Sequence, residues 1–99
     1  MIEYLDMLFD WDTDKAKANE IKHGVTFEEA MTAFSDERAQ IYDDEEHSEY
    51  EERFILLGYS KKTNLLMVCH CYRQDDTLTR IISARKATSH ERKKYEYGG

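Results

Sequence analysis

Apolar and polar positions divide the chain into runs of strand and helix length. Three runs dominate: Phe54-Ile55-Leu56-Leu57-Gly58-Tyr59, Leu65 to Tyr72, and Thr79 to Ala87. Short polar stretches, Ser60 to Asn64 and Gln74 to Leu78, separate them. Runs of this length and spacing predict a three-stranded antiparallel meander. The run from Leu65 to Tyr72 is apolar nearly throughout, which predicts a central strand covered on both faces. Thr79 to Arg85 mixes Arg80, Ser83 and Arg85 with two isoleucines. One side of that strand packs and the other meets a surface.

Before the meander, Met7 to Trp11 reads as an edge strand or an extended lead-in. Asp12 or Thr13 can cap a helix over Lys15 to Lys22, with a thin apolar stripe from Ala16, Asn19 and Ile21. Lys22 and His23 complement its last turn, and Gly24 supplies the left-handed residue that closes it. Thr26-Phe27-Glu28-Glu29 fits a capping box, in which Glu29 reaches back to the cap. Phe27, Ala30, Met31 and Phe34 then recur at helical spacing to about Phe34. Ala39 to Tyr42 is a further candidate strand. Thr88-Ser89-His90-Glu91 is a second capping box opening a basic helix to Tyr97, and Gly98-Gly99 is a frayed end. The order predicts one α+β domain over 1–99. Its N-terminal helices pack on an antiparallel sheet as two layers, with a short C-terminal helix.

Charge changes this picture. The net charge is −7, but residues 1–53 hold 17 acidic and 5 basic side chains while residues 54–99 hold 4 acidic and 9 basic. A basic second half can form a local positive patch, because exposed charges are screened beyond roughly 8–10 Å at physiological salt. Seven of the ten residues from Asp43 to Glu52 are carboxylates. Such a run repels itself and reads as a solvated loop, with neither the spacing nor the glycine of a calcium loop. Cys69 and Cys71 read as structural thiols on one face of the central strand, and no second ligand pair stands at zinc spacing. We therefore expect no metal and no cofactor. No run approaches the roughly 18 apolar residues of a membrane span. The acidic N-terminus has no secretory pattern, so the expected location is cytoplasmic.

A turn of even length about Asp75-Asp76 would pair Tyr72 with Thr79, His70 with Ile81, Val68 with Ser83 and Leu66 with Arg85. His70, Tyr72, Ser83 and Arg85 then share one face, while Met67, Cys69, Cys71, Ile82 and Ala84 share the other. An odd turn would exchange faces. A surface of Arg, His, Tyr and Ser beside a basic helix suits a phosphodiester, since arginine binds phosphate with a fork and aromatic rings stack bases. Against this, Arg80 and Arg85 can be surface ion pairs with the acidic loop.

At these same residues the chain resembles the BrnT toxins of type II toxin–antitoxin systems, which share the fold and broad activity of RelE ribonucleases. The resemblance rests on Lys22-His23-Gly24-Val25 followed by Phe27-Glu28-Glu29-Ala30, on His47-Ser48 with Glu51-Glu52-Arg53-Phe54, and on Arg80-Ile81-Ile82-Ser83-Ala84-Arg85 with Ala87, Glu91-Arg92 and Tyr95. It implies a RelE-like domain and a metal-independent endoribonuclease that inhibits translation. It also implies a BrnA-like ribbon-helix-helix antitoxin as partner, in a heterotetramer that meets operator DNA only through the antitoxin. Arg80 and Arg85 are expected to stabilise phosphate and transition-state charge, Ser83 to position, and His23 to transfer protons. Lys22 adds positive charge, Arg73 binds flanking phosphates, and His70 and Tyr72 meet the RNA. His70 is the alternative proton carrier. The alternative function is a catalytically weak or inactive interaction protein acting as an antitoxin-bound co-repressor.

Overall fold

The computed structural model describes residues 1–47 and 49–98. Ser48, in the expected acidic loop, and Gly99, in the expected frayed end, lie outside the described residues. The elements in order are β1 (Ile2–Tyr4), β2 (Met7–Asp10), α1 (Thr13–His23), α2 (Phe27–Thr32), a 3-10 turn (Ala33–Ser35), β3 (Gln40–Asp43), a second 3-10 turn (Glu45–His47), β4 (Phe54–Tyr59), β5 (Leu65–Arg73), β6 (Leu78–Lys86) and α3 (Ser89–Glu96). The strands lie in one sheet, ordered β1-β2-β6-β5-β4-β3. The expected meander is β4-β5-β6, antiparallel throughout, with β5 central. The strand at Met7 is not an edge. It pairs parallel with β6, and β1 lies outside it.

Both N-terminal helix caps form as their residues dictate. Asp12 accepts the Lys15 N–H at 3.0 Å, and Gly24 closes α1 at φ 70°. Thr26 accepts the Glu29 N–H at 3.0 Å, but Glu29 does not reach back. Its carboxylate is buried and accepts from the Ser60 hydroxyl at 2.6 Å and the Asn64 amide at 2.8 Å. A half-used capping box thus ties α2 to the β4–β5 turn. The second box is complete, with Glu91 and Thr88 bonded reciprocally.

Two clusters divide the core by sheet face. Leu56, Leu66, Val68, Ile81 and Ala84 pack against Phe9, Val25, Phe27, Ala30 and Met31 under α1 and α2. Leu57, Leu65 and Met67 pack against Tyr95 of α3 on the other face. The expected two layers therefore become three at one end. Ile21, counted in the apolar stripe of α1, is exposed, and Asn19 is the buried residue of that helix.

Asn19 closes the open edge of β6. Beyond Arg80 no strand among the described residues lies beside that edge. The Asn19 amide nitrogen donates to the carbonyls of Ala84 at 2.8 Å and Val25 at 3.0 Å, and its oxygen accepts the Ala84 N–H at 3.0 Å. One side chain thus substitutes for a neighbouring strand.

The β5–β6 register follows the sequence-based pairing only near the turn. Tyr72 faces Thr79 and His70 faces Ile81, but Cys69 faces Ser83 and Met67 faces Arg85. Ile82 is the extra residue of a bulge, which exchanges the faces of everything beyond it. His70 therefore does not share a face with Ser83 and Arg85. It is fully buried, with Nδ1 3.1 Å from the Val68 carbonyl, Nε2 3.1 Å from the Tyr72 hydroxyl, and the Phe34 ring 4.9 Å away. A side chain so enclosed does not meet RNA, and its expected role there is withdrawn.

Two consequences are measurable. Asn19→Ala leaves the buried Ala84 edge groups unpaired, and we expect it to cost on the order of 2–3 kcal/mol in urea unfolding; an unchanged midpoint would refute the clamp. Burial also lowers the pKa of His70 from its ordinary 6.5, so the folded state keeps it neutral. The unfolded chain binds that proton first, so His70's contribution to stability is present above pH 6.5 and declines as pH falls through it. Unfolding midpoints measured from pH 7.5 to 5.5 should fall, and His70→Gln should lose that part of the slope.

Candidate functional site

Beyond α3 the second sheet face carries a cavity of about 400 Å³. Its floor is Ile55 of β4, Met67 and Cys69 of β5, and Ile82 to Arg85 of β6. His23 forms one wall, at the end of α1 where Asn19 holds that helix to the edge of β6. Asp44, Glu46, His47 and Arg53, from the segment between β3 and β4, form the other. Three of the expected catalytic residues, His23, Ser83 and Arg85, are thus brought together.

Arg85 lies opposite Met67 and is held by α3. Its Nη1 and Nη2 each donate to a Glu91 carboxylate oxygen at 2.8 Å. This fork is the main reason that the Glu91 carboxyl is pulled down to about 2. Arg85 therefore braces the terminal helix and lines the cavity together. The fork fixes a guanidinium whose side chain remains 42% exposed, so it stays reachable by an anion.

The other expected residues lie elsewhere. Arg80 is outside the cavity and pairs with Asp10 of β2 at 3.0 Å; it joins two parallel strands rather than a transition-state site. Arg73 is exposed and its Nη2 pairs with Glu51 at 2.9 Å. Tyr72 lines a separate hollow with Phe54, Glu51, Glu52 and Asp76. Carboxylates dominate that hollow, so the expected RNA contact of Tyr72 is withdrawn on electrostatic grounds. Lys22 is exposed beside His23 but does not line the cavity.

Three lining residues were given no role from the sequence. Arg53 supplies the second guanidinium of the cavity in place of Arg80. His47 holds its Nδ1 3.1 and 3.2 Å from the two oxygens of Asp44. Asp44 is buried, unlike its exposed neighbours Asp43, Glu45 and Glu46, so this part of the acidic run is not the expected solvated loop. A histidine three residues after an aspartate was the available signal. Cys69 donates its thiol to Asp44 at 3.5 Å, and burial with that carboxylate pushes the thiol up to about 12. It is an inert group at neutral pH, as expected of a structural thiol.

Among the described residues no group of three or more His, Cys, Asp or Glu side chains is placed to hold a metal ion. None of the described helices is long and apolar enough to cross a membrane.

Comparison with known proteins bears on this cavity. The family model described as "Ribonuclease toxin, BrnT, of type II toxin-antitoxin system" matches residues 11–91. No curated protein sequence matches the chain. Among solved structures, the 1.1 Å crystal structure of the Brucella abortus ribonuclease toxin BrnT superposes with a TM-score of 0.63 at 21% identity. That match covers 84% of this chain and 99% of the Brucella chain, so the two share a fold. The matched segment runs from just after β2 to the first turn of α3 and takes in every wall of the cavity, and the chain belongs to the BrnT family of ribonuclease toxins of type II toxin–antitoxin systems.

Proposed function

We propose that this toxin cleaves RNA endonucleolytically and without a metal ion, at the cavity between His23 and Arg53, and so inhibits translation in the cytoplasm. The observation that carries this reading is the convergence of Arg53, Arg85, Ser83 and His23 on one sheet face. RNA carries its own nucleophile. The 2′-hydroxyl can attack the adjacent phosphorus once its proton is removed, the 5′-oxygen is protonated, and cations hold the charge of the transition state. Arg85 and Arg53 supply that charge, Ser83 positions the phosphate, and His23 transfers a proton. Lys22 adds positive charge at the rim, while Arg73 lies further off for flanking phosphates.

A toxin of a type II system has an antitoxin partner. We propose a BrnA-like ribbon-helix-helix protein, whose dimer binds two toxins in a heterotetramer and contacts operator DNA itself. One observation favours the second reading, a weak toxin that acts mainly as co-repressor. Arg53, Arg73, Arg80 and Arg85 each already lie against a carboxylate, Arg53 and Arg73 against Glu51, Arg80 against Asp10 and Arg85 against Glu91.

Expression of this chain without its antitoxin separates the readings: growth arrest is expected, and normal growth with tight partner binding favours the co-repressor. With purified toxin, Arg85→Ala and Arg53→Ala should each lower RNA cleavage about 10²–10³-fold, as for loss of one transition-state donor. Arg80→Ala should cleave normally while melting at a lower temperature. EDTA should leave the rate unchanged; abolition by EDTA would refute the metal-independent scheme.

A further inference from the structure

We infer that His47, held by Asp44, is the second proton-transfer group of the cavity. It takes the proton of the RNA 2′-hydroxyl while His23 protonates the leaving 5′-oxygen. This rests on the proposed ribonuclease reading and gives it an acid–base pair.

Asp44 and His47 differ in burial in the way such a pair requires. The Asp44 side chain is 9% exposed and the His47 side chain 60%. An ordinary surface ion pair has both partners in water and contributes little. Here a carboxylate is withdrawn from water, at a cost, beneath a ring that a polymer can reach. Its position is fixed from several sides. The Asp44 N–H donates to the Arg53 carbonyl at 2.9 Å, the Asp44 carbonyl accepts the His47 N–H at 3.3 Å, and its carboxylate accepts the Cys69 thiol.

Ring chemistry then assigns the nitrogens. An ionised carboxylate only accepts, so Nδ1 of His47 carries hydrogen toward Asp44. Nε2 is left as the basic nitrogen of the neutral ring, and Asp44 stabilises the imidazolium once that nitrogen is protonated. His23 stands on the opposite wall, with Arg53 and Arg85 lining the same cavity. The step balances. The 2′-oxygen bonds to phosphorus and its proton goes to His47 Nε2; the P–O5′ bond breaks and its electron pair takes a proton from the His23 imidazolium. The products are a 2′,3′-cyclic phosphate and a 5′-hydroxyl, and exchange of protons with water resets both rings. Asp44 acts through His47 and is a positioning residue.

The test uses the purified toxin and an RNA whose cleaved bond has been mapped. His47→Gln keeps a donor for Asp44 but takes up no proton, and it should lose 10²–10⁴-fold in rate at unchanged melting temperature. A second RNA carries sulfur in place of the 5′-oxygen at the cleaved bond, so that the leaving thiolate needs no proton. Replacing the base should not be rescued by this RNA, whereas replacing the acid should be. His47→Gln is therefore expected to stay slow on it, and His23→Ala to recover most of its loss. Asp44→Asn should lower kcat with KM unchanged, and Asp44→Glu should restore part of it. Normal cleavage of the oxygen RNA by His47→Gln, with Arg85→Ala inactive, overturns this inference while the ribonuclease reading stands. Rescue of His47→Gln by sulfur makes His47 the acid and overturns the assignment. If the unmodified toxin cuts no RNA, the reading beneath the inference fails.

Discussion

The bulge at Ile82 decides which side chains of this sheet can act together. In a regular strand, faces alternate with a period of two, so residues three apart point to opposite sides. Ile81 and Ala84 nevertheless both enter the core beneath α1 and α2, because the register shifts between them. That shift sends Ser83 and Arg85 to the opposite face, beside Cys69 and Met67, and leaves His70 in the core. The adjoining edge of β6 would then be open at Ala84, and the Asn19 amide fills it. Because Asn19 lies one turn before the end of α1, the same contact carries His23 to the cavity rim. Register, edge closure and the placing of His23 form one linked arrangement.

Electrostatics works at the scale of the cavity rather than of the whole chain. A net charge of −7 would repel RNA at long range, but salt screens exposed charge over roughly 8–10 Å. Within the cavity Arg53, Arg85 and two histidines face Asp44 and Glu46. Glu91 accepts both the Arg85 fork and the Thr88 N–H, so one carboxylate caps α3 and orients the arginine. A phosphate approaching Arg85 meets a guanidinium already fixed in direction, and it must share that guanidinium with Glu91. Preorganisation and self-masking are here the same contact.

The acidic run between β3 and β4 has two parts with different physics. Asp43, Glu45 and Glu46 are exposed and solvated, which is how like charge ordinarily resolves its repulsion. Asp44 is turned inward, where its oxygens accept from the His47 ring and the Cys69 thiol. Composition treats these carboxylates as equivalent, and packing separates them.

Local rules made much of the architecture legible. Period and turn residues located β4, β5 and β6, and side-chain caps located α1 and the start of α2 and of α3, because each depends on groups a few residues apart. The family resemblance, carried by motifs such as His47-Ser48 and Glu51 to Phe54, was also legible in the residues, although it assigned no role to His47 or Arg53. The face assignment was legible only as far as His70. A bulge inserts one residue on the strength of packing against α1 and α2, and nothing local to Ile82 signals it. The parallel pairing of β2 with β6, the diversion of Glu29 to Ser60 and Asn64, and the exchange of Arg80 for Arg53 in the cavity share one origin. Each is a contact between residues more than twenty positions apart, so its geometry exists only once the layers have packed. What the sequence determined by itself is the family and most of the elements, β1 and the 3-10 turn at Glu45–His47 excepted. Which of its arginines and histidines meet in one cavity was decided by tertiary structure, through a one-residue shift in register and a single buried amide.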